Sequence, residues 1–245
     1  MTAPFPTLKQ EDWRYADLEA LQPLWEEFAQ PVTLTVGDGE EIEEVWLPSA
    51  DDVQLKRVQL TLGKGAKAKF FVLNRAQVYG RIELEVSLAE AADFELYGAN
   101  IGAGHSTNEI VTRVKHTGVA ARSRQVVRSV LGGKAIGSYL GKVKVARGAQ
   151  QSDAEQSVKA MLLDRGASAN CKPELEIFAD DVKCAHGASV GELDRMQLFY
   201  AQSRGLDPAS ARALLLEGFV MGLWDSAQDA AAICEAARDA LRRVV

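Results

Sequence analysis

The densest concentration of reactive side chains in this sequence is the run Asp180-Asp181-Val182-Lys183-Cys184-Ala185-His186-Gly187. In an extended chain successive side chains alternate, so Val182, Cys184 and His186 share one face while Lys183 and Ala185 share the other. A thiol and an imidazole two residues apart then point the same way, as two ligands of one metal centre would, or a thiol with its base. The same residues also suit plain packing, with Cys184 as a small hydrophobe and His186 donating one hydrogen bond at a strand end. A complete metal site needs further ligands. The chain has few to give, since 245 residues hold three cysteines and three histidines. That shortage suggests a half-site completed by another subunit.

Elsewhere the catalytic repertoire is thin. The sequence contains no Walker A loop, GxGxxG or HExxH. Gly98, Gly102 and Gly104 surround Asn100 and His105, but no Lys-Ser/Thr follows to reach a phosphate, so turns are expected there. His105 lies in the turn-like stretch GAGHSTN and reads as solvated. His116 shares the register of Ile110 and Val114 and reads as a packed strand residue. An enzyme using Cys184 and His186 as a thiol–imidazole pair is a competing reading, disfavoured because no Asn or Asp is placed to orient the imidazole. Cys171, Cys184 and Cys234 form no CxxC pair. They offer neither a disulfide framework nor a four-thiolate site, and they suit a reducing compartment.

Three kinds of segment must position these residues. In residues 1–31, Trp13, Leu18, Leu21, Trp25 and Phe28 recur at helical spacing, with Pro23 breaking the run and Pro31 ending it. Two short helices are expected, docked through their tryptophans. From about Val32 the period changes to two. Ile82, Leu84, Val86 and Leu88 alternate with Arg81, Glu83, Glu85 and Ser87, and similar short strands of two to six residues recur to residue 190. No long helical stripe interrupts them, which argues against a Rossmann or TIM arrangement. Sandwich, barrel and solenoid all stay open on pattern alone, and the lack of Asn-Gly hairpin signals leans toward a solenoid. Residues 191–245 return to helix. Asp207 precedes Pro208 as an N-cap, and Ser226 with Asp229 resembles a capping box.

Hydrophobic residues make up 47% and charged residues 25%, the usage of a globular chain. No apolar run approaches the roughly 20 residues of a spanning helix, and Met1 to Lys9 does not read as a signal peptide. A soluble, cytoplasmic protein is expected. The net charge of -6 gives no footing for nucleic-acid binding. Basic residues do gather between Arg113 and Arg147, where they read as the solvated side of strands.

The run KPELEIFADDVKCAHGASVGELDRMQLFYAQSRG, Lys172 to Gly205, closely resembles the C-terminal signature of the SufB/SufD family of iron–sulfur cluster assembly proteins. The stretch from Gln156 through Asp164 is similar to the family too, and Trp13-Arg14-Tyr15-Ala16-Asp17-Leu18 resembles its WxYTxL segment. SufB-type sequences tend to carry Glu-His-Glu-Ala where this chain has Ala185-His186-Gly187-Ala188, so it looks most like SufD.

The resemblance implies a mainly β fold: a right-handed parallel β-helix over 32–190, a short N-terminal helical segment, and a C-terminal helical domain over 191–245. It implies a non-catalytic scaffold paired with a SufB-like homologue, and a SufC ATPase docked on the tail, where Leu214, Leu215, Phe219 and Trp224 are the expected contacts. By the same resemblance His186 matches the histidine offered at the SufB interface, with Cys184 beside it. A transient iron–sulfur cluster would be shared there, and no cofactor would be bound by the isolated chain. A purely structural subunit is the alternative, and whether the isolated chain pairs with itself stays open. The chain is shorter than typical SufD proteins. Cys171 has no clear role in the family, and a buried strand position is expected for it. Deleting 206–245 is expected to leave the β-rich core folded.

Overall fold

A computed structural model describes residues 4–47 and 51–244. Twelve strands run through its middle: β1 (Val32–Val36), β2 (Glu41–Trp46), β3 (Val53–Leu62), β4 (Lys67–Asn74), β5 (Tyr79–Leu88), β6 (Asp93–Gly102), β7 (Thr107–His116), β8 (Arg122–Leu131), β9 (Ile136–Val145), β10 (Ser152–Leu162), β11 (Ser168–Ile177) and β12 (Val182–Glu192). Odd-numbered strands form one sheet in the order β1-β3-β5-β7-β9-β11, and even-numbered strands form the other in the order β12-β10-β8-β6-β4-β2. Every pairing is parallel. The chain therefore coils as a flattened β-solenoid, each coil laying one strand in each sheet.

Successive register partners Val53, Tyr79, Thr107, Ile136 and Ser168 stand 26 to 32 residues apart. The strands run to 10 or 11 residues from β5 onward, longer than the alternation alone suggested. Glycines such as Gly98 and Gly141 sit inside them without breaking the ladder.

The turn after each odd strand from β1 to β9 explains how the coils stack. Gly39, Gly65, Ala91, Ala120 and Gln151 all take positive φ, between 56° and 70°. Each donates its N–H to a carbonyl in the corresponding turn of the next coil: Lys64, Glu90, Val119, Gln150 and Asp181 in turn. Alanine and glutamine accept a backbone that favours glycine because the stacked hydrogen bonds hold it there.

Between the sheets lies a core of Val58, Leu60, Phe70, Leu84, Phe94, Ile110 and Val143, all at most 1% exposed. The outer faces are covered as well. On the odd sheet sit α1 (Leu18–Leu21) and α2 (Trp25–Phe28), joined by a 3-10 turn that carries Pro23. Trp13, Leu21 and Phe28 pack there against Tyr79.

This cover changes the reading of β5. Arg81 and Glu83, which alternate with the core residues as a solvent-facing row would, are buried beneath the N-terminal segment. The Trp13 ring lies 3.8 Å from the Arg81 guanidinium carbon.

The C-terminal helices are α3 (Arg195–Ser203), α4 (Pro208–Val220) and α5 (Ala230–Arg242). Asp207 caps α4 as its sequence suggests, accepting from the N–H groups of Ala209 and Ser210 at 3.0 Å. The Ser226–Asp229 capping box does not form, since α5 begins at Ala230 and Asp229 makes no capping bond with its side chain. Leu216, Val220, Trp224, Ile233 and Leu241 bury Phe71, Leu73, Ile101 and Val130 on the outer face of the even sheet. The tail and the β-helix thus share a second core, so the tail is no detachable appendage.

Candidate functional site

The last coil, β11 and β12, closes nothing over itself. Among the described residues β11 pairs only with β9, and β12 only with β10, which leaves one free edge on each of two long strands. Register fixes which side chains face inward. Cys184, His186 and Ala188 stand opposite Ala154, Gln156 and Val158, whose side chains are buried in the β-helix. On the other sheet Cys171 and Leu175 stand opposite the buried Tyr139 and Val143. The inward row of the last coil therefore ends in the open.

Along that row burial fades. Cys184 is half-buried and packs against the edge of the core, while His186 and the residues after it on β12 are exposed. The shared face deduced from strand alternation is present. Two strand residues so spaced have backbones about 6.6 Å apart, too far for an automatic thiol–imidazole contact. No hydrogen bond joins the two side chains, and burial pushes the Cys184 thiol up, opposite to an activated nucleophile. The pair fits two groups facing a common ligand better than a catalytic dyad.

Cys171 joins this face from the other sheet, half-buried, its thiol also pushed up by burial. Nothing in its neighbours Asn170 and Lys172 singled it out. Only the register of β11 on β9 places it on the same open end. Among the described residues no group of three or more His, Cys, Asp or Glu could hold a metal ion. Cys234 lies apart, against the tail core.

The four tail residues singled out from sequence separate by environment. Leu214 is exposed, Leu215 and Phe219 are half-buried, and Trp224 is fully buried with its indole N–H donating to the Tyr97 carbonyl at 3.2 Å. On α3 the tail shows other large exposed apolar side chains that periodicity did not mark as outward. Met196 is 72% exposed and Phe199 66%, with Tyr200 exposed beside them. The two remaining histidines are a solvent-exposed His105 and a fully buried His116, whose Nε2 lies 2.8 Å from Ser123 Oγ.

Fold and site together define a parallel β-helix with an open last coil, carrying Cys184 and His186, and a helical tail bound along one flank. Residues 30–219 match the family model described as the SufBD core domain of the SUF system for FeS cluster assembly. The chain belongs to this family of iron–sulfur cluster assembly proteins.

It is 34% identical over 118 residues to the iron–sulfur cluster assembly protein SufD of Escherichia coli, a match covering 48% of this chain and 28% of that protein. SufD of Bacillus subtilis is 33% identical over 120 residues, covering 49% and 28%. A SufBD family protein of Synechocystis is 29% identical over 178 residues, covering 72% and 39%. The chain thus spans well under half the length of these relatives.

Proposed function

We propose that this chain is a SufD-like, non-catalytic scaffold subunit of an iron–sulfur cluster assembly complex. Its open last coil takes a SufB-like homologue edge to edge, and His186 faces the nascent cluster, which is cargo held between the two subunits. The observation that carries this reading is the uncovered end of the β-helix, where two long unpaired edges frame an exposed imidazole and two half-buried thiols. Free edges of that length are a liability for a lone chain and a template for another strand. A homologous β-helix presents a matching edge. Neutral imidazole is a good iron ligand, so an exposed His186 can bind metal there.

The exposed apolar face of the tail, with Met196, Phe199, Tyr200 and Leu214, is the surface offered to a SufC-type ATPase. The nucleotide chemistry belongs to that partner, and its closure on ATP would act on the interface through the tail.

The test is His186→Ala, co-purified with the SufB-like and ATPase partners, with iron and sulfide measured beside subunit stoichiometry. The variant is expected to assemble normally and to lose most of its iron and sulfide. Cys184→Ala is expected to do less if the chief thiolate is the partner's. Normal iron and sulfide in His186→Ala would leave only a shape-giving role, and lost assembly would make the imidazole a structural hydrogen-bond donor.

A further inference from the structure

A chain of polar side chains runs through the otherwise apolar lumen of the β-helix and stops beside His186. Tyr139, on β9, is 1% exposed and places its hydroxyl among three partners. It donates to Gln125 Oε1 at 3.0 Å. It accepts from Gln156 Nε2 at 2.9 Å, and Thr112 Oγ1 lies 3.1 Å away. A phenol has one proton. With that proton committed to Gln125, Gln156 must present its NH₂ to Tyr139, and its carbonyl oxygen is turned away. Burial pushes Tyr139 up to about 12, so the proton stays on the ring oxygen near neutral pH.

Gln156 Oε1 is buried and has no partner. A buried acceptor left unpaired is costly, so a donor brought within reach is stabilised there. Gln156 is the register partner of His186, and β12 is the next and last strand of that sheet. Residues opposite one another on adjacent strands carry their side chains on the same face, about 5 Å apart. Register sets two groups beside Gln156. On β8 it is Gln125, whose Oε1 is held by Tyr139 and whose Nε2 is buried without a partner; on the open side it is the imidazole of His186, which makes no hydrogen bond among the described residues.

The backbone makes room for the arrangement. A Cβ on Gly141 would fall 2.2 Å from the Tyr139 hydroxyl and 2.4 Å from Gln156 Nε2. Any larger residue there would displace the pair.

We infer that Gln156 is the positioning residue for His186: its amide, locked by Tyr139, accepts a hydrogen bond from one ring N–H and leaves the other ring nitrogen free to face outward. This rests on the reading of His186 as the cluster-facing group. A ligating histidine needs a fixed tautomer, and an acceptor behind the ring fixes it.

The titratable groups on the inward faces around His186 are Cys184 and Glu192 on β12 and Cys171 on β11. Asp153, Glu155 and Lys183 belong to the outward rows of β10 and β12.

The test begins on the chain alone, by long-range ¹H–¹⁵N correlation of its imidazoles; His105 in its solvated turn and buried His116 are internal controls. In the native chain His186 is expected to show one dominant tautomer. In Gln156→Leu it should relax to the mixture of a free imidazole. Gln156→Glu keeps an acceptor behind the ring, so it should retain the tautomer. On the assembled complex, Gln156→Leu should lower retention of iron against a chelator about tenfold or more, with Gln156→Glu close to native.

An unchanged tautomer in Gln156→Leu overturns the inference. Should that variant fail to fold, loss of the single tautomer in Gln156→Glu overturns it instead. If the tautomer responds as expected but His186→Ala keeps its iron and sulfide, the positioning stands and the ligand reading falls.

Discussion

The indole N–H of Trp224 donates to the backbone carbonyl of Tyr97 at 3.2 Å, tying the helical tail to the outer face of β6. Trp224 is fully buried and contributes to the core that covers Phe71, Leu73 and Val130. Trp224→Ala is therefore expected to destabilise the fold by about 3–5 kcal/mol, as loss of a large core ring does. Trp224→Phe should cost less, keeping most of the apolar contact. Removing residues 206–245 altogether should uncover that face and cause aggregation. Urea unfolding of the two point variants, and light scattering of the truncated chain, check this.

The outward side of the same tail behaves differently. Met196 and Phe199 are largely exposed and support no core. Met196→Asp and Phe199→Asp should shift stability by no more than about 0.5 kcal/mol. Aromatic and long apolar groups of this kind anchor interfaces, so binding of the ATPase partner should weaken at least about tenfold. Calorimetric titration of the partner decides the matter. Unchanged affinity in the double variant would remove this face from the docking surface.

A third expectation concerns charge buried beneath the N-terminal segment. Arg81 bridges Glu83 at 3.1 Å and Glu109 at 3.0 Å, all three essentially without solvent exposure. Burial by itself would raise Glu83, but Arg81 and Arg113 outweigh it and hold that carboxyl below its usual range. Arg81→Ala leaves Glu83 its pairs with Arg113 and Arg57 but leaves buried Glu109 with the Tyr79 hydroxyl and no other ion pair among the described residues, so about 3–5 kcal/mol should be lost. Arg81→Met combined with Glu109→Gln should recover much of it, because the penalty comes from unpaired charge. Denaturation midpoints of the single and double variants separate the two.

These buried charges mark where the sequence misleads. Alternation of Ile82, Leu84 and Val86 with charged neighbours reads as one core face and one wet face, and the core half of that reading holds. The other half fails at Arg81 and Glu83 because a segment some seventy residues earlier in the chain lies over them, a contact no local pattern encodes. The period and the lack of Asn-Gly turns left sandwich, barrel and solenoid open and only leaned toward a coil; the family resemblance named the parallel β-helix. Its coil length was not legible, since polar residues such as Thr112 and Gln125 interrupt the inward rows.

The candidate site divides the same way. Alternation alone put Cys184 and His186 on one face. Cys171 and Gln156 reach that end only through register with neighbouring strands.

The final expectation is a pH dependence set by His116. Its ring is fully buried at the end of β7, held by Ser123 Oγ at 2.8 Å. Burial lowers its pKa from the ordinary 6.5 to about 4, since a charged imidazole cannot be hydrated there. Above pH 6.5 the ring is neutral in both folded and unfolded chains, and the stability it permits is fully present. Below 6.5 the unfolded chain takes up the proton first, so stability falls as pH drops and levels off below about 4, when the folded ring is protonated too. A depression of this size corresponds to about 3 kcal/mol across that window. Carboxylates held low, such as Glu83, add their own loss only from about pH 4.5 downward. The interval from 6.5 to 4.5 therefore isolates the imidazole. His116→Gln keeps a hydrogen-bonding amide for Ser123 and removes the titration, so its unfolding free energy should be nearly flat over that interval while the native chain declines. Parallel slopes in the two proteins would assign the decline to other groups.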